Sequence, residues 1–412
     1  MKRSAKPVVL LVHQAFSTLD EGGGTRHCEF ISEWLRRGWE VEVIASAQHY
    51  LSGEVRAGKF SKDRQPGLRI HRVPALVNHQ ASYMHRVVSY LWFCVVALVY
   101  VLRASKANVV VGTSPPIGQG MTALVAAKLS RCPFVLEVRD LWPDFPIALG
   151  GLNSRIGKAI AKAIERRLYS GAEKIVVNSP GFLDPIAEKG VSRDKLVLVP
   201  NGVDPSMFVG ARHGMKLRVA LGLDHKFVIL YSGALGKAND LESLLEAALI
   251  LKEVHEIRFV ILGDGMMRRA LQDRCSKMQL TNVQFLRSRK KRWMPDFLAA
   301  ADLCYAGLLS CPILHSTYPN KVFDYMAAEK PVLLAIDGPI RKVVCESKGG
   351  VFVSPGQAEE IAAQILDLSL DLEQCRQMGR NGRAYVLEHF SRSNHAEEFH
   401  ELLLMVTGTS GV

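Results

Sequence analysis

Short runs of apolar, mostly β-branched residues recur along this chain. They alternate with longer stretches in which apolar positions return every three or four residues. The first pattern reads as strands buried on both faces, the second as amphipathic helices covering them. In the first half the runs predict strands at 8–12, 41–45, 68–73, 109–112, 134–138, 174–178 and 196–199. In the second half they fall at 227–231, 258–262, 283–286, 303–305, 332–334 and 351–353.

Two passages each resemble the first strand of an open parallel sheet. Residues 8–12 lead through a glycine loop into a helix over 26–37, and 227–231 lead through 233–237 into a helix over 241–253. Regular strand–helix alternation after each predicts two doubly wound α/β domains in tandem, over 1–205 and 206–390. Pro, Asn, Gly and Asp punctuate the junction at 200–210. No repeat of solenoid length is visible.

One apolar stretch breaks the alternation. Residues 87–102, VVSYLWFCVVALVYVL, are nearly continuous in apolar character and are flanked by Arg86 and Arg103. As a helix they reach about 24 Å, short of the ~30 Å hydrocarbon core of a bilayer. The expectation is a helix buried against the sheet or partly inserted in lipid, ahead of a span. Its tyrosines, its tryptophan and the flanking arginines suit a membrane interface.

Composition adds a direction. The 412 residues carry 52 Lys+Arg against 40 Asp+Glu, a formal net charge of +12. That balance favours anionic partners: nucleotide phosphates, nucleic acid or anionic headgroups. The eight cysteines form no CxxC pair and no zinc-type cluster with histidine, which predicts reduced thiols in a reducing compartment. The stretch 8–13 is too short for a signal-peptide core.

Five segments are candidates for chemistry. The first is EGGGTRH at 21–27, where Gly22, Gly23 and Gly24 free the backbone before a helix N-terminus; a tight turn explains the glycines equally well. The second is EVRDLWPD at 137–144. There a strand delivers Glu137, Arg139 and Asp140 to its carboxyl end, where open α/β sheets place ligands. An Arg–Asp pair that merely orders the loop is the alternative. The third is PNGVD at 200–204, a turn and a hinge candidate. The fourth is LGDG at 262–265, with Gly263 and Gly265 after a strand.

The fifth, STYPNKVFDYMAAEKPV at 316–332, is the most informative. Pro319 suits a first helical turn. Lys321 sits in that turn against the helix dipole, which makes sense if an anion binds there. Asp324 lies one turn on, on the face of Asn320 and Lys321. One helix start would thus hold a phosphate through its amides and Lys321, and hydroxyls through Asp324. The basic run RSRKKRW at 287–293 reads as a solvated loop before a nucleic-acid patch.

In this order these motifs, with TSPP, AIERRLYSGAEKIVVNSPG, YSGALGKANDLESLLEA and FLAAADL, resemble the family 4 retaining glycosyltransferases. The resemblance runs from about residue 8 to 390 and is nearest the branch that builds bacterial capsule and O-antigen polysaccharides, N-acetylfucosamine transferases included. It implies a GT-B fold, two Rossmann-like domains facing across a cleft. The donor nucleotide would lie mainly on the second domain and the acceptor on the first, with a final helix in 391–412 crossing back. It implies no bound metal and no cofactor.

Position by position, the resemblance brings Gly22, Gly23 and Gly24 toward the donor diphosphate, with Gly233, Gly236 and Lys237 lining it. It puts Gly263 and Gly265 beside the base or ribose, with backbone near Arg287 and Ser288 reading the base. Asp324 falls at the second acidic position of the family's two-glutamate motif and would hold the ribose hydroxyls. The chain departs from the family elsewhere. The first glutamate falls at Ser316, the diphosphate-clamping Arg and Lys at Ala234 and Asn239, the catalytic-site histidine at Arg139, and a frequent glycine at Glu329. Lys237 and Lys321 are the substitute cations.

The sequence therefore predicts retaining, metal-independent transfer of a sugar, an N-acetylated amino sugar in the first instance, from a UDP-sugar to a polyprenyl-diphosphate-linked acceptor. Lys237, Lys321 and helix amides would stabilise the leaving diphosphate. Glu137, Arg139 and Asp140 would act on the acceptor side. The chain would lie peripherally on the cytoplasmic face of the cell membrane. The rival enzyme is a GT-B nucleotide-sugar 2-epimerase, which would leave the apolar helix unexplained. A basic nucleic-acid-binding protein is the rival from another class, and the cluster at 287–293 is too small to carry it.

Overall fold

The computed structural model describes residues 6–21, 23–50, 53–55, 65–77, 83–104, 106–209 and 213–409. The chain divides into two compact units. The first is Met1–Ser17, Gly24–Pro200 and Ser393–Val412; the second is Thr18–Gly23 with Asn201–Arg392. Each is a parallel sheet covered by helices.

The first unit has strands β1 (Val8–Val12), β2 (Glu40–Ser46), β3 (Leu68–Val73), β4 (Val109–Ser114), β5 (Phe134–Val138), β6 (Lys174–Val177) and β7 (Leu196–Leu198). Their order is β3-β2-β1-β4-β5-β6-β7, all parallel. The strand order reverses beside β1, and the ends of β1, β4 and β5 flank that switch point, where such sheets bind ligands. β1, β4 and β5 are buried at every position, which explains their continuous apolar runs.

Helix α1 (Arg26–Arg36) packs Phe30, Ile31 and Trp34 onto this sheet. Helix α2 (Tyr83–Val101) lies against α3 (Ile117–Ser130), the edge strand β3 and its neighbour β2. The residues Ser89, Phe93, Ala97 and Val101, four apart, are buried. Gly118 lets α2 and α3 approach, because a Cβ there would meet Cys94 Sγ at 2.7 Å. The opposite stripe is open: Leu91 is 63% exposed, Val95 64% and Leu102 71%. Only 22% of the stretch Met84–Val101 is buried, so the core-helix expectation holds for one face alone.

The last helix, α6 (Arg392–Thr407), belongs to the first unit for nearly its whole length. Phe399 stacks on Phe30 and Trp34, with ring centroids 5.6 and 5.3 Å apart. Arg37 pairs with Glu397 at 2.6 Å, and Trp39 Nε1 donates to His400 Nδ1 at 3.1 Å.

The second unit repeats the design with β8 (Phe227–Ser232), β9 (Ile257–Leu262), β10 (Val283–Leu286), β11 (Leu303–Gly307), β12 (Val332–Ala335) and β13 (Gly350–Phe352), in the order β10-β9-β8-β11-β12-β13. Its pairings are parallel throughout. Helix α4 (Leu241–Ile250) covers one face through Leu241, Leu244, Leu245 and Ala248. Helix α5 (Asn320–Ala327) buries Val322, Phe323, Tyr325 and Met326. Every strand expected from the apolar runs is present within two residues at either end.

Candidate functional site

Polar side chains gather at the carboxyl ends of strands in each unit. In the first unit the centre is Glu137 on β5, wholly buried. Its Oε1 accepts from Arg26 Nε at 2.8 Å and its Oε2 from His27 Nε2. Arg26 also donates to the carbonyls of Val199 and Pro200, both at 2.6 Å, and lies over the Phe30 ring. Burial opposes ionisation of Glu137, but His27 and Arg26 overcome it and hold the carboxyl well below the usual carboxylate range. Burial likewise lowers His27, against the pull of Glu137.

His13 follows β1 directly. Its ring lies 4.3 Å from that of His27, its Nδ1 meets Thr113 Oγ1 at 2.8 Å, and its Nε2 meets Arg139 Nη1 at 3.2 Å. Arg139, half-buried, is fixed at its backbone by a 2.7 Å bond to the Ser114 carbonyl. Beside it Asp140 is half-buried, and burial pushes its carboxyl up to about 6 against the opposing charge of Arg139. A carboxyl poised there can orient or exchange a proton with a hydroxyl near neutral pH. The sequence reading found Glu137, Arg139 and Asp140 but missed Arg26, His27 and His13. The TRH of 25–27 was read for its glycines, and nothing in spacing alone brings residues 13, 26 and 137 together.

In the second unit the end of β8 is a backbone cradle. A Cβ on Gly263 would meet the Gly233 carbonyl at 1.9 Å, and one on Gly265 would meet the Leu235 carbonyl at 2.5 Å. The two loops therefore pack backbone to backbone, tied by Leu235 N to Asp264 O at 2.9 Å. Gly236 has no such crowding; its nearest neighbour is Asn239 Nδ2 at 3.6 Å from an ideal Cβ. Lys237, next to it, is exposed.

Lys321 leaves the first turn of α5, whose N-cap is Pro319, and runs under Gly233. A Cβ on Gly233 would lie 3.4 Å from its Nζ. The ammonium donates to Tyr231 Oη at 2.9 Å and Asn239 Oδ1 at 3.0 Å and sits over the Tyr231 ring. These partners are neutral, and burial lowers Lys321 to about 7. Residue 239, where the family pattern puts a lysine, is thus reached by a lysine from another element.

Asp324 does not stand open. Lys291 Nζ lies 2.5 Å from its Oδ2. The basic run is otherwise the exposed loop expected, with Arg292 paired to Asp20 at 2.5 Å on the surface and Lys291 N donating to the Glu21 carbonyl. Ser288 donates both its amide (2.9 Å) and its hydroxyl (2.7 Å) to Asp264 Oδ2, so its carbonyl is what remains for a base. Arg287 is largely exposed, 3.8 Å from Asp264. Ser316 Oγ donates to the Ile313 carbonyl, and Asn320 Oδ1 accepts from Arg392 at 3.3 Å. Gly23 and Gly24 divide between the second and first units, and Gly22 lies outside the described residues. Among the described residues no group of three His, Cys, Asp or Glu could hold a metal.

Two family models match the chain in tandem, a glycosyl transferase 4-like domain over residues 21–202 and glycosyl transferases group 1 over 216–385. The chain is a glycosyltransferase of the GT-B fold, built of these two domains. Among curated relatives it is 26% identical over 349 residues to a protein of Escherichia coli named as the colanic acid biosynthesis glycosyl transferase WcaI, covering 81% of this chain and 85% of that one. It is 24% identical to a glycosyltransferase of Methanocaldococcus jannaschii, over 92% and 93% of the two chains.

Among solved structures, sucrose-phosphate synthase from Thermosynechococcus elongatus superposes with TM-score 0.78 over 98% of this chain and 100% of that one, at 17% identity. Anabaena HepE in complex with UDP-glucose gives 0.72 over 97% and 99%, and WaaG, a glycosyltransferase involved in lipopolysaccharide biosynthesis, 0.70 over 97% and 100%, both at 17% identity. At that identity the likeness to these structures concerns the fold. This glycosyltransferase shares with them two parallel-sheet α/β units.

Proposed function

We propose that this glycosyltransferase moves a sugar, an N-acetylated amino sugar in our reading, from a UDP-sugar to a polyprenyl-diphosphate-linked acceptor during synthesis of a bacterial surface polysaccharide. Lys321 carries the donor side of this reading. It is a lysine at a helix start, set under a glycine that leaves it room, and its hydrogen-bond partners Tyr231 and Asn239 are neutral. A diphosphate is the anion that geometry suits. As the sugar leaves, negative charge grows on that diphosphate, and a preorganised ammonium with the amides of α5 stabilises it without reorganisation. Lys237 adds a second, exposed cation, and Asp324 holds the ribose hydroxyls once Lys291 gives way. Retention then follows from front-face attack, the leaving phosphate taking the acceptor proton.

On the acceptor side Arg139 and Asp140 face the substrate. Asp140 orients the acceptor hydroxyl, and Arg139 supplies positive potential. Glu137 has both oxygens engaged and no exposure, so its role is to hold the residues around it. The names of WcaI and WaaG, which refer to colanic acid and lipopolysaccharide, support surface polysaccharide as the product class.

The open apolar stripe of α2 supports a lipid-linked acceptor, because its reactive head stays at the bilayer surface and an enzyme lying there meets it. The chain would bind the cytoplasmic leaflet peripherally, its basic residues adding about 1 kcal/mol each near anionic lipid. Two measurements test the reading. In a thermal-shift panel of UDP-, GDP- and ADP-sugars, a UDP-sugar should stabilise the chain most; a larger shift with a GDP- or ADP-sugar would sink the donor assignment. Anionic vesicles should co-sediment the chain at low salt, and serine at Leu91, Val95 and Leu102 should release it. Equal binding by that variant would remove α2 from the membrane role.

A further inference from the structure

The first unit holds a chain of buried polar groups behind Arg139 whose purpose the transfer reaction so far leaves unassigned. Arg26, Glu137, His27 and His13 are each under a tenth exposed. Such a network is costly to bury unless every member is paired. It ends on a half-exposed guanidinium at the mouth of the switch point. Gly24 lies beside that guanidinium, where a Cβ would make ordinary contact at 3.8 Å from Arg139 Nη2.

The chemistry of Arg139 fixes the tautomer of His13. A guanidinium has donors only and stays charged. The nitrogen it meets, His13 Nε2, must therefore offer a lone pair, and His13 Nδ1 carries the proton that it donates to Thr113 Oγ1. Thr113 Oγ1 is itself held, accepting from Gln119 Nε2 at 2.8 Å, while Gln119 Oε1 takes the Gln14 amide at 2.6 Å. Behind His13 the His27 ring, locked on Glu137, closes the other side. His13 thus has one orientation and one protonation state that can hold Arg139.

We infer that His13 is a positioning residue for glycosyl transfer, a neutral imidazole that accepts from Arg139 and aims the remaining guanidinium donors at the acceptor side of the reaction. This rests on the reading of Arg139 as a substrate-facing group. Protonation of His13 would turn its lone pair into an N–H facing a cation and release Arg139. The groups facing His13 are His27 from α1, Arg72 from β3, Thr113 from β4, and Arg139 and Glu137 from β5. Burial first, then His27 and Arg139, hold its imidazole well below the ordinary range, with Glu137 pulling the other way. His13 therefore stays neutral at neutral pH, and its own effect on turnover should appear only in acid, below the step of Asp140 near 6.

The experiment compares His13→Leu, His13→Gln and Arg139→Ala in the full chain. It measures release of UDP from the UDP-sugar that stabilises the chain most, with a detergent-solubilised polyprenyl-diphosphate sugar as acceptor. Arg139→Ala and His13→Leu should each lower kcat roughly ten- to a hundredfold, with the donor KM within about twofold. His13→Gln, which restores an acceptor but does not titrate, should recover most of the His13→Leu loss and remove the lower step of the acid limb, leaving the step of Asp140. The 15N spectrum of labelled histidine should show His13 as the Nδ1–H tautomer, the less common one for free imidazole, whether or not any variant folds poorly. Four results would overturn the inference: an Nε2–H tautomer; normal kcat in His13→Leu beside a slow Arg139→Ala; a His13→Gln as slow as His13→Leu; or a lower step of the acid limb that is unchanged in His13→Gln. Normal kcat in Arg139→Ala would instead defeat the acceptor-side reading of Arg139 on which it stands.

Discussion

The two units are built on one plan and furnished in opposite ways. Both are parallel sheets whose strand order reverses beside the first strand. At the strand ends of the first unit, charge is sunk into the core: Glu137, Arg26 and His27 close on one another and leave Arg139 and Asp140 partly exposed. At the strand ends of the second, side chains are removed. Gly233, Gly263 and Gly265 let backbone pack on backbone, and the buried cation Lys321 waits beside neutral groups. On the function proposed, the first unit orients a hydroxyl and needs directional groups held rigidly, while the second admits a diphosphate and needs room and unspent positive charge. One scaffold serves both because function sits in the loops and strand ends, not in the sheet.

The largest effect should come from breaking the buried charge network. Glu137→Gln leaves Arg26 with an uncompensated buried charge, and the first unit should lose about 3–5 kcal/mol of stability. Because its carboxyl is held low in the folded state, Glu137 contributes stability above the unfolded pKa and loses it only as acid reaches the depressed value. Denaturant unfolding near neutral pH measures the loss, and an unchanged midpoint would mean the network is slack.

Next comes the unspent cation. Lys321→Met should lower transfer by roughly ten- to a thousandfold while the chain stays folded. Its pKa of about 7 gives a sign: the diphosphate takes the charged form, which is the minority above pH 7. Donor affinity should therefore be full below about 7 and weaken by up to about tenfold per pH unit above it, until the raised pKa of the bound state is reached. Calorimetric titration with the UDP-sugar from pH 6 to 9 tests this, and a slope that survives in Lys321→Met would assign it to another group.

Asp324 sharpens the comparison further because, unlike Lys321, it already faces an opposite charge. Asp324→Asn should weaken donor binding by about 1.5–3 kcal/mol, the range of a charged hydrogen bond. The 2′-deoxy donor should discriminate less against the variant. An equal loss on Asp324→Asn with the 2′-deoxy donor and the full donor would make the Lys291–Asp324 pair purely structural.

The smallest effect concerns backbone. Glu329 ends α5 with φ +56, a conformation that glycine adopts without cost. Glu329→Gly should raise stability by up to about 1 kcal/mol, less whatever the 3.4 Å contact with Arg383 supplies. A fall in the second unit's melting temperature would show that this contact outweighs the strain.

The sequence alone determined the sheets. Strands buried on both faces must be apolar throughout, so their positions were legible, as was their alternation with helices. Pro319, Asn320, Lys321 and Asp324 were legible as a group because a helix period places them on one turn. The sequence did not determine which polar groups meet across long separations. Residues 13, 26, 113 and 137 converge because strand order, not chain order, sets which loops are neighbours. Lys291 reaches Asp324 across 33 positions because the fold carries the segment after β10 past α5. The exposure of one face of α2 was equally hidden, since an all-apolar helix reads the same whether its second face meets protein or lipid. Local periodicity is a property of the chain. Pairing of buried charge belongs to the fold, because the energy that selects each partner exists only once water has been excluded.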